Sequence, residues 1–161
     1  MGKFTHIDDE GRVRMVDVTD KKPSVREALA GGVVFMGSET FELIRKQKIK
    51  KGNVLETARI AGIMAAKKTS ELIPMCHPLN ITHVQVDFLP DAANKGIKIE
   101  AAVRTIDQTG VEMEALTAVS VAALTIYDMC KSYDKEMTLS NIRLLKKTGG
   151  KSGTFERKKS E

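Results

Sequence analysis

From about Met113 to Lys131 the chain reads MEALTAVSVAALTIYDMCK, and no other segment limits the possible folds as tightly. Its four alanines and its length favour helix over strand. The helix is apolar nearly all round, so it must be covered on more than one side, which in a small domain suggests a subunit interface. Thr109-Gly110-Val111-Glu112 precedes it as a capping signature. Its longest uncharged apolar stretch, Ala115 to Tyr127, is 13 residues, short of the roughly 18–20 that cross a bilayer. No membrane span is expected.

The rest of the chain supplies what can cover such a helix. Val84, Val86 and Phe88 alternate with His83, Gln85 and Asp87, and Ile97, Ile99, Ala101 and Val103 with Lys98, Glu100 and Arg104. This period of two predicts two strands joined by a hairpin loop over Asp91–Gly96. Asn53 and Glu56 resemble a capping box before a helix running to about Lys68, and Ser38 is a plausible N-cap for a shorter one to about Lys46. Val33 to Met36 reads as strand, although Gly31-Gly32 can equally end a short helix or mark a bulge. A last strand spans about Thr138 to Leu145. The order strand, helices, strand, strand, helix, strand is the split βαβ pattern of an α+β ferredoxin-like sandwich, an antiparallel sheet with helices on one face. We expect an extended N-terminal arm over 1–23, one catalytic-sized domain over 24–146 and a basic Gly/Lys-rich tail over 147–161.

The net charge of +5 invites a nucleic-acid reading, but four of those charges lie between Lys146 and Glu161. Aromatic residues make up 4% and Trp is absent, so stacking surfaces for single strands are scarce. A small polyanion fits better than a polymer. The charged N-terminus lacks the apolar run of a secretory signal, and Cys76 and Cys130 form no CxxC pair. Both features point to the cytoplasm.

Several residue groups carry candidate chemistry beside a plainer reading. Gly149-Gly150-Lys151-Ser152-Gly153 is not a phosphate-binding P-loop, because that motif needs Gly where Leu145 stands; it is a flexible basic tail or an anion-gripping arm. Lys51, just before a helix N-terminus, opposes the helix dipole unless an anion sits there with the amides of Asn53 and Val54. Asp128 and Lys131, three apart on one helix face, read as a surface ion pair or as a general acid/base pair. His77 lies in the stiff loop Ile73-Pro74-Met75-Cys76-His77-Pro78-Leu79 and is structural or functional. Glu112 and Glu114 serve the helix dipole or accept hydrogen bonds from a purine-like ring edge.

Taken together, Lys51-Gly52-Asn53, Leu72 through Leu79, Thr109 through Leu116, Ile126 through Lys131 and Lys147 through Gly153 resemble the cyclic pyranopterin monophosphate synthase family, molybdenum cofactor biosynthesis protein C. The similarity runs from about Thr5-His6 through Met15-Val16-Asp17-Val18 to Gly153. It implies a lyase that converts 3′,8-cyclo-7,8-dihydro-GTP to cyclic pyranopterin monophosphate with release of pyrophosphate. It also implies a homohexamer, a trimer of dimers with active sites at the dimer interface, and a separate radical S-adenosylmethionine cyclase supplying the substrate. On the resemblance, Asp128 and Lys131 are acid/base catalysts beside Lys51 and His77. Met75, Cys76, His77, Glu112, Met113 and Glu114 line the substrate pocket, and Lys67 and Lys147 contact phosphates. No cofactor is required, while Mg²⁺ can accompany the triphosphate. The alternative is a non-catalytic ferredoxin-like module that binds a nucleotide or RNA through its basic tail.

Overall fold

A computed structural model describes Ile7 and residues 10–158; Thr5, His6 and Lys159 lie outside the described residues. The elements in order are β1 (Ser24–Phe35), α1 (Ser38–Arg45), α2 (Val54–Lys67), α3 (Thr69–Leu72), β2 (Ile81–Asp91), β3 (Gly96–Asp107), α4 (Glu112–Cys130), β4 (Thr138–Thr148) and β5 (Phe155–Glu156). They build an antiparallel sheet in the order β2-β3-β1-β4-β5 with the helices on one face, a ferredoxin-like α+β sandwich.

The β2–β3 hairpin follows from the alternation of its residues. Val84 pairs with Val103, Val86 with Ala101 and Phe88 with Ile99, so the apolar sets of both strands fall on the same face. Asp91 closes the turn: its carboxylate accepts from Asn94 and pairs with Lys98 at 2.8 Å. The Lys98 bond, above all, pulls the Asp91 carboxyl down to about 2.

β1 is one strand of 12 residues that runs straight through Gly31-Gly32. The glycines mark a bulge: the register against β4 slips between Leu29 and Ala30 and again between Gly31 and Val33. A Cβ on Gly32 would stand 2.8 Å from Val119 Cγ1, so the missing side chain is what lets α4 lie directly on the central strand.

α4 supplies the middle of the core. Ala115, Ala118, Val119, Ala122, Ala123, Ile126 and Cys130 are all buried, against the sheet on one side and α2 on the other. The cover expected from a subunit is therefore largely provided within the chain, although Leu124 on α4 and Ile60 and Met64 on α2 stay exposed. By length and composition alone α4 is long and apolar enough to cross a membrane, but 56% of that stretch is buried inside the fold, as befits a core helix.

Two caps differ from expectation. Asn53 does cap α2, accepting from the Glu56 amide at 3.2 Å, whereas α1 is preceded by Gly37, whose amide donates to Asp134 Oδ2. At α4 the N-cap is Val111 with no side-chain bond, so Thr109 does not cap. The last strand also runs three residues further than expected, to Thr148, and β5 folds back on it, pairing Lys147 with Phe155.

Candidate active site

α4 separates the chemically interesting residues into two groups. From Glu112 to Asp128 the helix rises about 24 Å, at 1.5 Å per residue. α2 lies alongside it, with Lys51 before α2 reaching the last turn of α4 and Cys76, beyond α3, lying near Glu114 in its first turn.

At the C-terminal end, Lys131 Nζ is 2.7 Å from Asp128 Oδ1, and Lys51 Nζ donates to the Asp128 carbonyl oxygen at 2.9 Å. The Lys51 ammonium thus sits at the free carbonyls that end α4, where the helix dipole welcomes a cation. The ion pair with Lys131 lowers the Asp128 pKa, with Lys51 adding to the effect, and Asp128 in turn raises that of Lys131. The pair is open to solvent, with side-chain exposures of 51% for Lys131 and 64% for Asp128. Both groups thus spend neutral pH charged, able to hold an anion or cation but poorly poised to exchange protons.

The N-terminal end is built differently. Glu114 is buried, and that burial pushes its carboxyl up to about 7, with the charge of Glu112 adding to the rise. Burial also raises the Cys76 thiol, assisted by Glu114, so Cys76 is neutral at neutral pH. Burial pushes Cys130 up to about 11. His77 is half-buried, and its Nε2 lies 2.7 Å from the Val16 carbonyl oxygen. Met75 is half-buried, while Met113 and, on the last turn of α2, Lys67 are exposed.

Lys147 bonds Glu112 Oε1 at 3.0 Å and Ser152 Oγ at 3.0 Å. Beside the pair opens a cavity of about 870 Å³, of the size that takes a small-molecule ligand. Lys21, Lys22, Arg26, Lys147 and Lys151 stand against Asp20, Glu27 and Glu112 in its wall, an excess of positive charge. The Ser24 hydroxyl, also in that wall, is buried without a hydrogen-bond partner. Gly149 and Gly150 line the cavity with positive φ of 90° and 75°, a turn that brings the tail back onto β1. The 149–153 segment therefore belongs to the cavity wall.

Of the residues picked from sequence, Glu112 and Lys147 line this cavity, with Gly149, Gly150, Lys151 and Ser152 of the segment read as a flexible basic tail or an anion-gripping arm. Ser24, Arg26, Lys21, Lys22 and Gln108 were missed. A signal existed: Ser24 and Arg26 are two apart and share one strand face, a polar pair at the start of an otherwise apolar strand. Arg26 is held by bonds to the carbonyl oxygens of Asp107 and Gln108, 3.3 and 3.2 Å. Among the described residues no group of three or more His, Cys, Asp or Glu side chains is arranged to hold a metal ion.

Comparison with known proteins gives the family. The chain is 64% identical over 155 residues to a cyclic pyranopterin monophosphate synthase of Desulforapulum autotrophicum, covering 96% of this chain and 95% of the relative. It is 60% identical over 154 residues to one of Thermoanaerobacter sp., covering 96% and 98%. It is 58% identical over 161 residues to one of Pelotomaculum thermopropionicum, covering 100% and 95%. The MoaC family model matches residues 15–150, which include the whole of α4 and the cavity wall apart from Lys151 and Ser152, and the chain belongs to the MoaC family.

Proposed function

We propose that this protein is a cyclic pyranopterin monophosphate synthase, a lyase of molybdenum cofactor biosynthesis acting in the cytoplasm on 3′,8-cyclo-7,8-dihydro-GTP and releasing pyrophosphate. The observation that carries this reading is the near-full-length identity to synthases of that name. Rebuilding a purine ring as a pyranopterin and closing a cyclic phosphate require repeated proton transfers and neutralisation of a triphosphate, but no electron transfer. The cation-rich cavity, with the unpartnered Ser24 hydroxyl, suits the phosphates. Glu114, poised near neutrality, suits proton exchange with the ring.

We assign the catalytic set to Asp128, Lys131, Lys51 and His77. The first three meet at the C-terminal end of α4, whereas His77 follows Cys76, which lies near Glu114 in the first turn, and the two ends of the helix stand about 24 Å apart, more than one small substrate spans. We therefore place the complete site between two protomers, the C-terminal end of one α4 facing the cavity of the other, within dimers that assemble as a trimer. Covering the exposed Asp128–Lys131 pair with substrate and a second chain would move its pKa values toward the working range. Met75, Cys76, Met113 and Lys67 complete the walls around the ring and phosphates. A separate radical S-adenosylmethionine cyclase supplies the substrate. The chemistry needs no resident cofactor, and any Mg²⁺ enters as the counter-ion of the triphosphate.

Asp128→Ala tests the assignment. Turnover of the cyclic dihydro-GTP should fall by about 10²–10⁴, the usual worth of a general acid or base, and activity within about tenfold of the native enzyme would remove the role.

A further inference from the structure

The arm before β1 reaches into the site through a main-chain atom. Val16 O lies 2.7 Å from His77 Nε2, across 61 positions of sequence. A carbonyl oxygen only accepts, so Nε2 must carry the hydrogen, and in the neutral ring Nδ1 is then the one nitrogen left with a lone pair. The carbonyl is itself held in place. Asp17 Oδ1 accepts from the Thr19 amide at 2.9 Å and from the Thr19 hydroxyl at 2.7 Å, and the Lys21 amide donates to Val18 O. Gln108 Nε2 donates to Thr19 O at 3.3 Å, tying this turn to the loop before α4. One residue after Thr19 the chain is already in the cavity wall at Asp20.

We propose that residues 16–19 are a positioning element for the reaction: the Val16 carbonyl fixes His77 as the Nε2–H tautomer, so that Nδ1 is the nitrogen that takes and returns protons during turnover. This inference rests on the reading of His77 as part of the catalytic set. A pair of prolines, Pro74 and Pro78, stiffens the loop that carries the ring. With the loop rigid and the carbonyl braced, the tautomer is set before substrate arrives, which spares the reorganisation a freely turning imidazole would need.

The test is long-range ¹H–¹⁵N spectroscopy of the full-length protein labelled with ¹⁵N-histidine, at pH 8.5, well above the ordinary imidazole value of about 6.5. The chain has three histidines, and His77→Gln identifies the signal. We expect a protonated Nε2, an unprotonated Nδ1, and an Nε2–H proton exchanging slowly enough to be seen. Asp17→Ala, which undoes the turn behind Val16, should abolish that proton signal and lower kcat about tenfold with KM little changed, an effect on chemistry and not on substrate binding. Asp17→Asn keeps an acceptor for the Thr19 amide and should restore both. A proton on Nδ1 in the native protein, or an Nε2–H signal that survives Asp17→Ala unchanged, overturns the proposal. Because the spectra are read without turnover, failure of the lyase assignment leaves this result interpretable on its own.

Discussion

The two ends of α4 use the same kinds of side chain to opposite effect. At the N-terminal end a carboxylate is buried, 3% exposed, and its pKa rises to about 7; at the C-terminal end a carboxylate stands in solvent beside two lysines and its pKa falls. Desolvation governs the first and charge pairing the second. One end is a finished half-site, walled, charged and close to proton exchange at neutral pH. The other is an exposed ion pair that needs a cover before its protons can move, which is the physical ground for proposing that two chains complete one site.

The most forceful way to break this contrast is to remove Lys51. Lys51→Ala should cost about 10²–10³ in turnover while the melting temperature barely moves, since an exposed cation on the end of a helix contributes little to stability. A large loss of stability with kcat intact would mean that the C-terminal end is structural. Substitution in the helix between the ends should behave in the reverse manner. Ile126 is fully buried, so Ile126→Ala should lower the unfolding free energy by about 2–5 kcal/mol in denaturant titrations; the surviving folded fraction should turn over normally.

Glu114 sharpens the contrast through pH. The unfolded chain ionises this carboxyl near 4.5 and the folded chain only near 7, so stability present below pH 4.5 is lost as pH rises through 7, on the order of 3 kcal/mol. Glu114→Gln should flatten that part of the stability–pH curve measured by denaturant unfolding. An unchanged slope would show that Glu114 is not desolvated. The smallest expected effect is at Lys147. Lys147→Met removes one of several cations in the cavity wall, so KM should rise about tenfold with kcat within a few-fold, as for a phosphate contact shared among neighbours.

Much of this molecule is legible in its sequence wherever one period dominates. The β2–β3 hairpin follows from strict alternation, because one packing face dictates each strand, and α4 from an unbroken apolar run, because the sheet and α2 cover it on two sides. β1 resists that reading: Gly31-Gly32 interrupts the alternation, and their purpose, clearance for Val119 and Leu145, exists only in three dimensions. β5, two residues long, has no sequence signal at all. The site shows the same division. The Asp128–Lys131 pair is local, three residues apart on a helix, and was readable. The Lys51–Asp128, Lys147–Glu112 and His77–Val16 contacts join residues 77, 35 and 61 positions apart, and nothing in the spacing reveals them. Thr109 does not cap because α4 begins at Glu112, with Val111 in the cap position.

Mixing two inactive variants tests most directly whether one site needs both ends from different chains. Asp128→Ala spoils only the C-terminal end and His77→Ala only the N-terminal end. In a dimer formed from one of each, one of the two sites receives two spoiled halves and the other two intact ones. Co-expression or joint refolding should therefore return about a quarter of native activity from chains that are inactive alone, as random pairing in a two-fold dimer requires. A mixture no more active than the better of its parents would show that each chain carries its own site, and the two-protomer account would be wrong.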